Sequence, residues 1–200
     1  MSNNTKHLPK IKAKDLKESA KSDDPWDYLF NFTDKYFDML AETPEIIEDF
    51  NDSQLVLMAY NYMYGEVVNG GFIQMIINGN AYAFEEPFSE VIRSWGAVRI
   101  ADIVDRAKAI YEKNKDALLG GRQAQIDFSD AYAKVTSENE AKELEQQVWE
   151  KHSKLYEEFT DFDALADEFY ACMDEETAVI KRYVENNLDE FGIIVKWNLF

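Results

Sequence analysis

Residues 55–68 are apolar on almost every side when wound as an α-helix. A helix of that kind has one stable place, the centre of a bundle of other helices. The chain supplies such neighbours. Trp26, Leu29, Phe30, Tyr36, Phe37 and Leu40 recur at three- to four-residue spacings, which places them along one helical face. Asp24-Pro25 reads as a cap followed by proline at the first helical position, and Thr43-Pro44 repeats that start signal for a short helix through Phe50. Ser53 is expected to cap the apolar helix, and Asn69-Gly70-Gly71 to end it, because glycine accepts the left-handed backbone that helix C-termini use.

Beyond that turn, 72–77 reads as a second short apolar helix closed by Asn78-Gly79-Asn80. Pro87 opens a helix containing Val91, Ile92 and Trp95, and 97–119 reads as a longer one with Ile100, Ile103, Val104, Ala107 and Tyr111 inward. Gly120-Gly121 is the clearest internal break. Ser137 starts a strong helix whose seam is Ala141, Leu144, Val148, Leu155, Phe159 and Phe162, and further helices are expected over about 163–173 and 175–191. Ile193-Ile194-Val195-Lys196-Trp197 is β-like, and this apolar end, through Phe200, should pack on the body or on a second copy. The fold class expected is all-α, a multi-helix bundle with a short β-like C-terminal segment.

Charge enters because it is large and uneven. The 200 residues carry 21 basic and 39 acidic side chains, a net of -18. Residues 1–21 hold six lysines (Lys6, Lys10, Lys12, Lys14, Lys17, Lys21) against Asp15 and Glu18, so the remainder has 15 basic and 37 acidic groups, a net of -22. A hydrophobic content of 46% shows that this acidity coexists with a core. The chain divides into a mobile basic tail, 1–22, and a single acidic helical domain, 23–200. An acidic body repels nucleic acid and anionic membrane and attracts basic protein surfaces. The polar, lysine-rich start has no apolar h-region, so no signal peptide is expected and a cytoplasmic location follows.

Catalytic residue types are scarce. His7 falls in the tail, which leaves His152 as the imidazole of the body, and nothing around Cys172 resembles a nucleophile motif. Asp161, Asp163 and Asp167 superficially outline a calcium loop but lack its glycine and terminal glutamate. No enzyme activity, cofactor or metal is expected. A polar group is better defined. Glu66 lies three residues before Asn69, with Gln74 and Asn78 after the turn, so these four side chains either line a small-ligand pocket or hydrogen-bond one another to fix the turn.

The run Glu66-Val67-Val68-Asn69-Gly70-Gly71-Phe72-Ile73-Gln74, with Asn78 and the later Gly96-Ala97 before a helix, resembles the bacterial DNA-mimic protein family (the DMP-nineteen-like domain) over about residues 53–115. The resemblance implies an all-helical domain whose acidic surface occupies the nucleic-acid-binding face of a regulatory protein, with a homodimer as one form. What transfers residue by residue is the turn: Glu66, Asn69, Gly70, Gly71, Phe72, Gln74 and Asn78.

The acids read from charge alone as partner-binding are Asp23, Asp27, Asp34 and Asp38 in the first helix. Glu138, Glu143, Glu145, Glu150, Glu157, Glu158 and Asp161 form the corresponding set later in the chain. Glu143, Glu150 and Glu157 form a seven-residue ladder with neighbours about 10.5 Å apart along the axis, near the rise of three phosphates on one DNA strand at about 3.4 Å each. The partner expected is a basic, nucleic-acid-binding protein such as a transcriptional regulator, with no direct contact to nucleic acid or membrane. The alternatives are a ligand-binding or enzymatic pocket at Glu66, or an oligomeric scaffold using Trp197 and Phe200.

Overall fold

The computed structural model describes residues 7–196 and is dominated by helices, as the apolar periodicity requires. Trp197 and Phe200, expected at an interface, lie outside the described residues. In chain order the elements are β1 (Lys10–Lys12), α1 (Ala13–Ser19), α2 (Pro25–Glu42), a 3₁₀ turn (Pro44–Asp49), α3 (Asp52–Ile77) and a second 3₁₀ turn (Ala81–Phe84). There follow α4 (Phe88–Ser94), α5 (Val98–Lys113), α6 (Lys115–Tyr132), α7 (Glu138–Glu158), α8 (Asp161–Asn186), α9 (Leu188–Phe191) and β2 (Ile193–Val195). They form two compact units. One holds the chain up to Asn61, Glu86–Asp102 and the chain from Ala171; the other holds Tyr62–Glu85 and Ile103–Tyr170. No helix among the described residues is long and apolar enough to cross a membrane.

The first unit is organised around Phe191, which is fully buried. The rings of Phe32, Trp95 and Tyr183 meet it at 6.1, 5.7 and 6.3 Å between centroids, and the Tyr36 hydroxyl donates to its carbonyl at 2.7 Å. Trp26 stacks on Tyr60 at 5.4 Å, and the Tyr60 hydroxyl meets that of Thr177 at 2.5 Å. Asp24 caps α2 by accepting from the Trp26 amide, with Pro25 at the first helical position. Glu176 of α8, itself buried, accepts from the Arg99 amide in the first turn of α5 and from the Arg99 Nε at 2.9 Å, so one carboxylate serves a helix N-terminus and a guanidinium.

Several local expectations change. The stretch read as a mobile tail contains β1 and α1. β1 pairs in parallel with β2, Ile11 opposite Ile194, and Ile11 and Leu16 are buried. The apolar Ile193–Val195 segment therefore packs on the body through a strand partner close to the other end of the chain. His7 also lies on this body, 3.2 Å from Asp49. The cap of α3 is Asn51 and not Ser53. Asn51 accepts from the Gln54 amide while Gln54 accepts from the Asn51 amide, a reciprocal box, and Ser53 instead donates to Glu190. Residues 161–186 form one continuous helix where two were expected, and Phe162 sits on that helix, beyond the end of α7.

In the second unit the helix break falls at Asn114, and Gly120-Gly121 lie inside α6. A Cβ on Gly121 would sit 2.3 Å from a Leu155 methyl of α7, whereas one on Gly120 would meet nothing within 4 Å. Gly121 therefore lets α6 and α7 approach closely. Gly121→Ala should destabilise the protein by about 1–3 kcal/mol through overpacking. Gly120→Ala should be neutral, or stabilise by up to about 1 kcal/mol through helix propensity. Urea unfolding of the two variants checks this, and equal effects would contradict the close-approach reading.

Candidate functional site

Two features bear on function, and both are described within the second unit: a carboxylate clamp at the break in α3, and the acidic outer face of α7. The clamp starts from backbone geometry. α3 is broken at Gly70 (φ -163°, ψ 21°) and Gly71 (φ 77°, ψ -175°), and the left-handed φ of Gly71 is one that glycine adopts without strain. A break in a buried helix releases carbonyls that must find donors. The Tyr170 hydroxyl of α8 donates to the Val67 carbonyl at 2.7 Å, and the Tyr156 hydroxyl of α7 donates to the Gly70 carbonyl at 3.1 Å.

Glu66 ties the two arms of α3 together. Its Oε2 accepts from Gln74 Nε2 at 2.9 Å and Asn78 Nδ2 at 2.8 Å, and its Oε1 accepts from Asn80 Nδ2 at 2.5 Å. One carboxylate thus receives three side-chain amides, one from the second arm and two from the turn that closes it. A Cβ on Gly70 would fall 2.1 Å from the Gln74 amide oxygen, so the absence of a side chain there leaves room for the clamp. Phe72, fully buried, lies 6.3 Å from Phe84 and 6.1 Å from Phe162 between ring centroids, and holds the second arm against its unit.

Glu66, Gln74 and Asn78 therefore converge as their spacing suggested. Asn69 does not join them, since its side chain is exposed at the end of the first arm. Asn80 is the member that spacing did not single out; its signal is the Asn78-Gly79-Asn80 turn, where Gly79 has φ 78°. Burial first, and then the charges of Asp163 and Glu66, raise the Tyr156 hydroxyl above its ordinary pKa of 10.0, so Tyr156 stays a neutral donor to Gly70.

The second feature is made by position on a helix. Ser137 caps α7 by accepting from the Glu140 amide. Leu155 is buried and Val148 and His152 half-buried, which leaves the rest of the surface to charge. Glu138, Glu143, Glu145, Glu150, Glu157 and Glu158 are all exposed, as is Asp161 at the start of α8. Glu143, Glu150 and Glu157 run nearly in line, because seven residues fall about 20° short of two turns. Lys142 Nζ holds Glu138 at 2.6 Å, and Gln146 Nε2 donates to Glu150 at 2.8 Å. Glu143, Glu145, Glu157, Glu158 and Asp161 make no ion pair among the described residues. The other predicted acids, Asp23, Asp27, Asp34 and Asp38, are exposed at or along α2 in the first unit, where Lys35 pairs with Asp38 and Ser22 donates to Asp27.

The residues weighed for catalysis are occupied structurally. Cys172 is buried in the first unit. His152, in the second, donates from Nε2 to the Gly121 carbonyl at 3.3 Å. Burial lowers the His152 pKa below 6.5; the Gly121 carbonyl opposes the shift by favouring the cation, and Lys151 adds to the depression. Among the described residues no group of three or more His, Cys, Asp and Glu side chains is placed to hold a metal.

The DMP19-like protein family matches residues 48–187 of the chain. The protein named DNA mimic protein DMP19 from Neisseria meningitidis serogroup B (strain ATCC BAA-335 / MC58) is 23% identical over 181 residues, covering 90% of this chain and 95% of that protein.

The clamp and the imidazole each make a test. Glu66→Gln puts an amide among three donors, and leaving one of them unpaired should cost about 1–3 kcal/mol with helicity retained. A melt with circular dichroism reads both quantities, and an unchanged midpoint would show that the clamp carries no stability. For His152 the folded pKa lies below the unfolded one, so the unfolded chain binds more protons between the two values. Its contribution is present above about pH 6.5 and is lost as pH falls from there toward the folded value. The stability difference between wild type and His152→Gln, from urea unfolding at about pH 7.5 and about pH 5.5, should shrink at the lower pH.

Proposed function

The chain belongs to the DMP19-like protein family, and on that premise we propose that it is a non-enzymatic, cytoplasmic binding protein that presents carboxylates where a DNA-binding protein expects phosphates. The observation that carries this reading is the outer face of α7. Glu143, Glu150 and Glu157 form a nearly straight row at about 10.5 Å intervals, and Glu143 and Glu157 make no ion pair among the described residues. An unpaired surface carboxylate keeps its charge for another molecule. Glu145, Glu158 and Asp161 broaden the face, and the Lys and Arg side chains of a basic partner such as a transcriptional regulator meet it. Asp23, Asp27, Asp34 and Asp38 offer a second acidic face on the first unit for the same kind of partner.

Glu66, Gln74, Asn78 and Asn80 are scaffold in this reading. Their hydrogen bonds are made to one another, and they set the arm of α3 on which Tyr156 of α7 anchors.

The experiment is affinity capture at low salt with the wild-type chain and with Glu143→Lys/Glu150→Lys/Glu157→Lys, each with and without excess duplex DNA. The expected result is a discrete DNA-binding protein that wild type retains, DNA releases, the triple variant fails to hold, and rising salt weakens. Equal retention by the variant, or retention that duplex DNA does not disturb, would overturn the proposal.

A further inference from the structure

Trp149 stands out on α7. It is 62% exposed, in a chain whose Trp26 and Trp95 are buried, and no packing need of the second unit accounts for an indole at that position. It lines an open groove of about 470 Å³ together with Lys142, Glu145 and Gln146, the residues seven, four and three positions before it on the same helical face. The groove is shallow and open to solvent, so a side chain of another molecule can reach all four walls.

The hydrogen-bonding state of each wall selects the occupant. Lys142 is spent, its ammonium held 2.6 Å from Glu138. Gln146 has turned its amide nitrogen to Glu150 at 2.8 Å, which leaves its carbonyl oxygen as an acceptor. Glu145 makes no ion pair or hydrogen bond among the described residues, so its carboxylate is also an acceptor with a full charge. The groove thus offers an aromatic face, a carboxylate and an amide oxygen. An anion would meet Glu145, and a purely apolar group would leave two acceptors unpaired.

We infer that this groove is a binding site for an arginine side chain of the basic partner, the guanidinium stacking on the Trp149 indole while it donates to Glu145 and to the Gln146 carbonyl. Arginine fits better than lysine because its planar, weakly hydrated head group stacks and donates in its own plane at the same time, whereas an ammonium does neither in that geometry. The site lies on the helix that carries the Glu143, Glu150 and Glu157 row, and it rests on the reading of α7 as the partner-binding face. It adds specificity to that face. A row of carboxylates attracts any cation, and Trp149 with Glu145 distinguishes one cationic side chain from another.

The test uses the whole chain and two probes of equal length and charge, hexa-arginine and hexa-lysine, titrated calorimetrically at one fixed ionic strength. Wild type should bind hexa-arginine about two- to fivefold more tightly than hexa-lysine, the range of an exposed cation–aromatic contact. Trp149→Ala should abolish that ratio while leaving the hexa-lysine affinity nearly unchanged, and Trp149→Phe should keep part of it. Glu145→Gln should lower the hexa-arginine affinity more than Glu158→Gln, which removes the same charge away from the groove. Trp149 is exposed and alanine favours helix, so the variant is expected to fold, which circular dichroism verifies.

An arginine-to-lysine ratio of one in wild type, or a ratio that survives in Trp149→Ala, would overturn the inference. Either result would leave DNA mimicry standing. Failure of DNA to displace a partner from the acidic face would sink mimicry and leave the arginine preference of Trp149 as measured.

Discussion

The break at Gly70-Gly71 is the constraint on which the second unit depends. Most apolar side chains of α3 are buried, and backbone carbonyls that lose their helical donors at a break are satisfied by other donors. Two tyrosines supply the donors, Tyr156 from α7 and Tyr170 from α8. The same break lets the second arm turn back far enough for Gln74, Asn78 and Asn80 to reach Glu66. The polar clamp, the glycine pair and the two hydroxyls form one device.

That device also aims α7. Tyr156 on the Gly70 carbonyl and Leu155 in the notch at Gly121 commit one side of the helix to the interior. The remaining surface carries Glu143, Glu145, Glu150 and Glu157, with Trp149 and the exposed lysines Lys142, Lys151 and Lys154 among them. A row of carboxylates pushes on itself, and the exposed ion pairs available, such as Lys142 with Glu138, offset little of that repulsion. Keeping these acids in line therefore works slightly against stability.

The legible parts of the fold share a physical trait. Asp24-Pro25 and Ser137 were readable as helix starts because a cap acts on amides two or three residues away. The Gly70-Gly71 turn and the convergence of Glu66, Gln74 and Asn78 were readable because helical spacing brings those residues together once the turn is granted. Ser53 misled because two cap-forming residues stand close together, and Asn51 with Gln54 forms the complete reciprocal box. Gly120-Gly121 misled for a different reason. Glycine permits both a turn and a close approach, and only the position of Leu155 on the neighbouring helix decides between them.

By itself the sequence determined that this chain is a helical protein with a strongly acidic surface, where most of its helices begin, and that a glycine pair interrupts its most buried helix. Those properties follow from periodicity, capping and charge, which act over a few residues or through composition. Tertiary structure alone decided that Lys10–Lys12 would pair with Ile193–Val195 and that Asn80 would complete the Glu66 clamp. It also decided which carboxylates make no ion pair among the described residues and that Trp149 would stand beside one of them. These outcomes depend on which side chains meet once the helices have packed, and a partner distant in sequence leaves no periodic trace in the residues around it.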